Sequence, residues 1–421
     1  MSQPVTATSA EFPFKISVTD AQLELLRKKL DLVTFPDELQ DAEWRYGVPL
    51  PIMKRLVARW KDGFDWRAEE KKLNDELPQF TRDIEVAVHG NLTIHYVHKK
   101  STLETAIPLL FVHGWPGSFI EVRKILPLLL QTSEDGNFPS FHVVAFSLPG
   151  YAFSEAPKKS GFEAKQYGEI GHKLMLALGY NEYVTSGGDW GRIITQKMAQ
   201  IYGGKHVKAW HTNMPSLGIS PTLTSHPILY LQSLIKPLTA VEKAGLERSK
   251  WFNTEGRGYF AEQSTQPQTL GYSLSDSPVG LLAWIYEKLV NWTDAYPWTD
   301  DEVLTWVSIY YFSQAGPAAS TRIYYEITHS PGGLSALGEK PPRIPMGVSY
   351  FPKELIIAPR SWVRTVGNLV FESEHSSGGH FAAYEKPNEI VDDLRNMFGR
   401  KKGKNGPAFG VVSGRNGFQP A

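Results

Sequence analysis

The N-terminal part of the chain carries apolar positions at the spacing of helices. Leu23, Leu26 and Leu30 recur among lysine and glutamate residues, and a second helical pattern covers residues 51–61. We therefore predict that residues 1–82 form a helical N-terminal segment.

From Asp83 the pattern changes, because apolar residues now alternate with polar ones. The alternation on either side of Gly90-Asn91 is typical of a β-hairpin. Continuous apolar runs of strand length follow, and helical patterns near 119–130, 164–178 and 193–202 separate them. The runs cover residues 107–112, 142–146, 183–186 and 207–210. Apolar strands that alternate with helices predict a mostly parallel sheet that is covered on both faces.

The strand–helix alternation stops near Met214, and the next residues are rich in aromatic residues, proline and helical patterns. It resumes with strand-like runs at 346–350 and 368–372 and a last helix at 388–398. We predict an α/β fold, a doubly wound sheet interrupted by a helical cap. The boundaries are an N-terminal segment at 1–82, core parts at 83–214 and 342–400, a cap at 215–341 and a flexible Gly- and Lys-rich tail at 401–421.

Composition narrows the choice of partner. The chain holds 44 Lys and Arg against 44 Asp and Glu, so it lacks the basic field that binds nucleic acid or a membrane surface. It has no cysteine, which excludes disulfides, thiolate metal sites and a cysteine nucleophile. Residues 1–14 show no apolar stretch of signal or anchor length. These observations favour a cytoplasmic, soluble protein that acts on a small, largely neutral molecule.

Residues 187–191 read Gly-Gly-Asp-Trp-Gly and lie between a predicted strand and a predicted helix. A sharp strand-to-helix turn lifts one side chain above the sheet edge and needs small residues on both sides, here Gly187 and Gly191. The pattern is that of a nucleophile elbow with Asp189 as the nucleophile. The alternative is an ordinary turn in which the aspartate only caps the helix.

A second motif, His-Gly-Trp-Pro-Gly-Ser at 113–118, follows an earlier predicted strand. Folds with a nucleophile elbow present backbone N–H groups to an oxyanion at this place. We predict that the N–H groups of Trp115 and Trp190 form such an oxyanion hole. Alternatively, the string is a turn and nothing more.

A base and an acid are expected downstream of the nucleophile in this order of the chain. His380 lies on a glycine-flanked loop after the run 368–372, where it can reach the elbow as a general base. Glu354 follows the run 346–350 directly and is our candidate for the acid that orients it. Glu372 and Glu374 are the competing acids, although they lie on the strand and loop that lead to the histidine.

Together these motifs resemble the epoxide hydrolases of the α/β-hydrolase fold, most closely the microsomal type and its soluble fungal relatives. The resemblance extends over nearly the whole chain. It includes Trp-Arg-Tyr-Gly-Val-Pro at 44–49, Asp-Ser-Pro-Val-Gly-Leu at 276–281, Pro-Arg-Ser-Trp at 359–362 and Gly-Gly-His-Phe-Ala-Ala at 378–383. No match to the membrane anchor of the microsomal members is found here.

The resemblance implies a substrate, a mechanism and two further residues. In such enzymes two cap tyrosines bind the epoxide oxygen, and matching strings place them at Tyr259 and Tyr324. Tyr325, Tyr310 and Tyr311 lie near the second candidate. An aspartate carboxylate is ionised at neutral pH, so it can open an epoxide and form an ester that water then hydrolyses. The scheme needs no cofactor and no metal, and the partner is a small-molecule epoxide; we hypothesise a homodimer.

Two other functions stay open at this stage. A haloalkane-type dehalogenase also forms an aspartyl ester, but it holds a halide with tryptophan N–H groups, and Trp190 would suit that role. A non-catalytic binding protein of the same fold is the second alternative. An intact set of nucleophile, base and acid argues against it.

Overall fold

The computed structural model describes residues 10–133, 136–216, 218, 220–338, 340–401 and 404–419. Nine strands form one sheet in the order β1-β2-β3-β5-β4-β6-β7-β8-β9. They are β1 Phe12–Phe14, β2 Gln79–Val86, β3 Gly90–Lys99, β4 Ile107–Val112, β5 Phe141–Phe146, β6 Tyr183–Gly187, β7 Val207–Thr212, β8 Pro345–Tyr350 and β9 Asn368–Glu374. The first three strands and the pair β3–β5 are antiparallel, whereas the remaining pairs are parallel.

The mostly parallel sheet and the hairpin β2–β3 are therefore confirmed. Every residue of β4 and β5 is buried, as the continuous apolar runs predict for strands covered on both faces. Strands β4, β6, β7, β8 and β9 run parallel, so their carboxyl ends meet at one edge of the sheet. In open α/β sheets, ligands bind at this edge.

The helices of the core lie on both faces of this sheet. They are α4 Leu126–Leu129, α5 Ala164–Ala177, α6 Asp189–Tyr202, α14 Arg360–Val363, α15 Ala382–Glu385 and α16 Pro387–Phe398, with a 3₁₀ turn at Phe119–Val122. The helix predicted over 119–130 is thus broken into two short pieces. Proline at position 127 has no N–H to continue the helical hydrogen bonds from the first piece, although it fits the start of the second.

The N-terminal segment is mainly helical, with α1 Asp20–Asp31, α2 Leu50–Asp62 and α3 Trp66–Glu76. It also supplies the edge strand β1 and the start of β2, which a purely helical segment ending at residue 82 does not include. A strand of three residues is too short to show a period, so its pairing with β2 could not be predicted.

Between β7 and β8 the described residues form helices and no strand. These helices are α7 Pro227–Ile235, α8 Ala240–Trp251, α9 Gly258–Thr265, α10 Pro267–Asp276, α11 Pro278–Asn291, α12 Asp300–Tyr311 and α13 Arg322–Thr328, with short turns at Phe252–Gly256, Ala319–Thr321 and Gly333–Leu337. The N-terminal segment packs on them through aromatic pairs such as Trp60 with Tyr311. In the part of the chain that the structure describes, no helix is long and apolar enough to span a membrane.

The prediction of a flexible tail is wrong for residues 404–419. Ala408 and Val412 are buried, and the Ala408 N–H donates to the Met397 carbonyl. Gly417 bridges two core segments, because its carbonyl accepts from Ser140 and its N–H donates to Thr105, each at 2.8 Å. Glycine and polar residues are the majority here, but two buried apolar side chains and backbone hydrogen bonds fix the segment on the core.

Candidate active site

Asp189 lies at the turn between β6 and α6, with a backbone φ of 51°. This is the strained left-handed region that a nucleophile elbow imposes on its central residue. A Cβ at Gly191 would lie 1.9 Å from the Val112 carbonyl oxygen, and one at Gly187 would lie 2.8 Å from the same atom. The two glycines are therefore required by close backbone packing, and the interpretation of this turn as a simple helix cap is insufficient.

The Asp189 carboxylate is held by the motif at 113–118. The Trp115 N–H donates to Oδ1 at 2.7 Å. A Cβ at Gly114 would lie 2.2 Å from that same oxygen, so glycine at this position is what lets the carboxylate reach the backbone. No described hydrogen bond joins the Trp190 N–H to the carboxylate. That N–H lies in the first turn of α6, where amides have no partner within the helix.

His113, in the same motif, has a structural role. Its Nδ1 donates to the Gly114 carbonyl at 2.9 Å, and its Nε2 accepts from the Leu148 N–H at 3.1 Å. Burial lowers the pKa of His113 to about 4, so the ring is neutral at pH 7. This imidazole links two loops beneath the site.

His380 lies between the two carboxylates that the sequence analysis assigned to it. Its Nδ1 is 2.6 Å from Glu354 Oε1, and its Nε2 is 3.5 Å from Asp189 Oδ2. Burial lowers the pKa of His380, but the two carboxylates outweigh burial and raise the pKa to about 10. In the unliganded protein the imidazole is thus positively charged at pH 7.

The two competing acids lie elsewhere. Glu372 forms an ion pair with Arg364 at 2.5 Å, and Glu374 forms one with Arg360 at 2.5 Å. Glu354 is fully buried and also accepts from the Leu355 N–H at 2.6 Å. The geometry therefore favours Glu354 as the partner of the imidazole.

The two candidate tyrosines meet above Asp189. Their rings lie 5.7 Å apart, Tyr259 stacks on Trp115 at 5.2 Å, and Tyr324 meets the edge of Trp190 at 4.7 Å. The Tyr324 hydroxyl is buried and makes no well-formed hydrogen bond to a described residue. Burial, reinforced by the Asp189 charge, raises the pKa of both phenols well above 10. Both therefore remain hydrogen-bond donors at neutral pH.

The other nearby tyrosines do not share this position. Tyr310 donates to the Gly117 carbonyl at 2.6 Å, and Tyr325 is 39% exposed and stacks on His329. Tyr311 packs against Trp60 of the N-terminal segment.

A cavity of about 240 Å³ opens between Asp189 and the cap, and we call it the substrate cavity. Asp189, Tyr259 and Tyr324 supply polar atoms to its lining, together with Ser216 and Arg257. Its walls are mainly apolar, including Trp190, Ile193, Met214, Phe252, Phe260, Leu334, Leu355 and Ile356. Such a cavity suits a small apolar molecule with one polar group.

Sequence reasoning missed two side chains beside His380 and Asp189. Asn213 directly follows β7 and donates to the His380 carbonyl at 3.1 Å, so its place at the carboxyl end of a predicted strand could have indicated it. Glu121 is buried beneath the catalytic residues, and its signal was a single acid within the apolar run 119–122.

Comparison with known proteins agrees with this geometry. Residues 12–122 match a family model described as epoxide hydrolase N terminus, and residues 107–259 match the alpha/beta hydrolase fold. A putative epoxide hydrolase of Stigmatella aurantiaca is 36% identical over 93% of this chain and 86% of its own. Epoxide hydrolase 1 of Sus scrofa is 35% identical over 94% of this chain and 91% of its own.

The structure of the Aspergillus niger epoxide hydrolase superposes with a TM-score of 0.79 at 36% identity, covering 91% of this chain and 95% of that one. Fold, sequence relatives and structural neighbour agree over nearly the full length. The resemblance seen in the motifs is confirmed: the chain belongs to the epoxide hydrolase family of the α/β-hydrolase fold.

Proposed function

We propose that this enzyme converts epoxides to vicinal diols through an ester on Asp189. The observation that carries the proposal is the position of the Asp189 carboxylate. One of its oxygens is 2.7 Å from the Trp115 N–H, and the other is 3.5 Å from His380, while two phenols face it across the substrate cavity.

In the first step Asp189 Oδ2 attacks a carbon of the epoxide, and the bond from that carbon to the ring oxygen breaks. The ring oxygen takes a proton from Tyr259 or Tyr324. Because negative charge grows on this oxygen, hydrogen bonds from both phenols are stronger in the transition state than in the ground state. Oδ1, held by the Trp115 N–H, becomes the carbonyl oxygen of the ester.

In the second step water attacks the acyl carbon of the ester, and His380 Nε2 takes its proton. The oxyanion that forms on Oδ1 is stabilised by the Trp115 N–H and, we propose, by that of Trp190. Loss of one such donor costs about 3–4 kcal/mol in other hydrolases. The oxyanion collapses and the bond from the acyl carbon to Oδ2 breaks. The diol oxygen takes the second proton of the water, and Asp189 is again a carboxylate with one solvent oxygen.

Esterification also prepares the base. It removes the negative charge of Asp189, one of the two charges that raise the pKa of His380. The pKa of His380 therefore falls when the ester forms. Its proton replaces the one that the tyrosine gave to the ring oxygen, and the imidazole becomes the neutral base that the second step needs. Glu354 holds Nδ1 throughout, so Nε2 faces the ester.

The dehalogenase alternative is less well supported. Two phenols at the base of the substrate cavity suit an oxygen leaving group, which needs a proton that a halide does not. The relatives that align over most of the chain carry the name epoxide hydrolase. The complete set of Asp189, His380 and Glu354 argues against a non-catalytic protein.

Two broader expectations belong to this proposal, a cytoplasmic location and a homodimer. Exposed apolar residues of the cap helix α7, including Ile228, Leu231 and Leu234, offer a surface that a second copy could cover. Light scattering of the purified protein at several concentrations would measure the assembly.

The enzyme assay compares styrene oxide with a haloalkane, and rapid quenching is followed by mass spectrometry. We expect diol from the epoxide and a transient mass increase, equal to one substrate molecule, on the peptide that contains Asp189. The matched Asp189→Ala variant should show neither. Release of halide without diol formation would replace this proposal by the dehalogenase one.

A further inference from the structure

A second, much smaller cavity lies beside Asp189, and we call it the inner chamber. Its volume is about 10 Å³, which is the space that one water molecule occupies. Asp189, His380, Glu121 and Asn213 supply its polar atoms. The rest of its lining is Phe111, Gly114, Trp115, Gly188, Phe381 and Ala383.

Glu121 is built into this chamber by the local backbone. It lies in the 3₁₀ turn Phe119–Val122 that follows the motif at 113–118, and it is only 8% exposed. A Cβ at Gly117 would lie 1.6 Å from Glu121 Oε1. The glycine is thus needed because the carboxyl group packs directly on its Cα.

The charge state of Glu121 follows from this burial. Among the described residues, no Lys, Arg or His forms an ion pair with it. Burial raises the pKa of Glu121 to about 8, and the Asp189 charge acts in the same direction, while His380 and backbone hydrogen bonds from Ser118 and Gly114 oppose it. At pH 7 the group is mainly a neutral carboxylic acid, which can both donate and accept a hydrogen bond.

The two steps described above have no role for this buried carboxyl group, although it lines the same chamber as Asp189 and His380. We propose that Glu121 binds the hydrolytic water in the inner chamber and orients it between His380 Nε2 and the ester carbon of Asp189. This inference rests on the proposed ester mechanism and assigns Glu121 to its second step alone. The epoxide binds in the substrate cavity, which Glu121 does not line, so the first step does not need this residue.

The bound water reacts with groups that already have a role in the mechanism. Its oxygen forms a bond to the acyl carbon, and its proton passes to His380. The ester bond to the substrate breaks, and the diol oxygen takes the second proton of the water. Glu121 keeps its own proton and only holds the water, so an amide at this position should replace it well.

The role of Glu121 is tested by measuring the two steps separately in the full-length enzyme, with styrene oxide as the substrate. Stopped-flow tryptophan fluorescence measures alkylation, and rapid quenching with mass spectrometry measures ester hydrolysis. For Glu121→Met we expect ester hydrolysis to slow at least tenfold, with alkylation within threefold of the parent. For Glu121→Gln we expect both rates to stay within about threefold.

The control is Glu70→Met. Glu70 is a glutamate with the same 8% exposure, but it lines neither cavity. It accepts hydrogen bonds from the Val18 N–H and the Trp66 indole, so its replacement should lower the melting temperature without changing the ratio of the two rates. The inference is overturned if Glu121→Met hydrolyses the ester at the parent rate, or if its two rates fall together. If the parent itself forms no ester, the mechanism fails instead.

A structural measurement keeps the inference testable even if Glu121→Met does not fold. The His380→Gln variant, crystallised after reaction with the epoxide, should show a water within hydrogen-bond distance of the Glu121 carboxyl and beside the ester carbon. A trapped ester with no water between these groups would contradict the inference.

Discussion

The Asp189 carboxylate borders two cavities that differ in size and in chemistry. The substrate cavity has about 240 Å³ and mainly apolar walls, and two phenol hydroxyls that can donate a proton line it together with the nucleophile. The inner chamber has about 10 Å³ and brings together an imidazole and carboxyl groups. One cavity suits a molecule whose ring oxygen gains negative charge when Asp189 attacks, and the other suits the activation of one water. The difference teaches that the two steps can be impaired separately, although they share one nucleophile.

We expect the largest difference between the rates of the two steps when the base, His380, is replaced. His380→Gln should alkylate at nearly the parent rate and then stall, because only the second step needs a proton acceptor. General bases contribute about 10²–10⁴-fold, so we expect ester hydrolysis to slow by about a thousandfold. Intact mass spectrometry should show the enzyme plus one substrate molecule. A folded variant that stays unmodified would mean that His380 also serves the first step.

Replacing the two tyrosines should instead slow the first step, alkylation of Asp189. Tyr259→Phe and Tyr324→Phe keep the packing area and remove the donor. Each should slow alkylation at least about tenfold, since a charge-assisted hydrogen bond contributes roughly 1.5–3 kcal/mol, and the double variant should slow it further.

Stopped-flow fluorescence can measure this effect, because Trp115 and Trp190 pack on the two phenols. The control is Tyr325→Phe, which replaces a half-exposed neighbour outside the cavity. If both tyrosine variants alkylate at the parent rate, the phenols serve only packing, and the cavity no longer favours an epoxide over a haloalkane.

We expect a smaller effect on ester hydrolysis when the acid, Glu354, is replaced. Glu354→Gln removes the charge that holds Nδ1 of His380, so ester hydrolysis should slow roughly tenfold, the value of one hydrogen bond to a charged group. Glu372→Gln and Glu374→Gln should change neither step, because their carboxylates pair with surface arginines. Single-turnover rates of ester hydrolysis compare the three variants. If Glu372→Gln or Glu374→Gln slowed this step more than Glu354→Gln, that residue and not Glu354 would be the acid.

Strong local patterns made the sheet and most of the site predictable. Apolar runs predicted the buried strands, and the glycines around Asp189 predicted the elbow because their requirement is local. The choice of Glu354 followed from its place after a strand, since carboxyl ends of parallel strands meet at one edge.

Features that depend on packing could not be predicted. β1 is too short to show a period, and the tail is fixed by the buried residues Ala408 and Val412 within a stretch in which glycine and polar residues are the majority. Glu121 lies in an apolar run whose sequence does not reveal that its carboxyl group faces His380 rather than solvent.

The covalent role of Asp189 is tested most directly by a single turnover with excess enzyme in oxygen-18 water. If Asp189 Oδ2 attacks the epoxide, the diol of the first turnover contains no solvent oxygen, and the peptide that holds Asp189 gains one oxygen-18 atom. Further turnovers with the same enzyme then transfer that label to the diol. A first-turnover diol that carries a full solvent oxygen, with an unlabelled Asp189 peptide, would show that water attacks the epoxide directly.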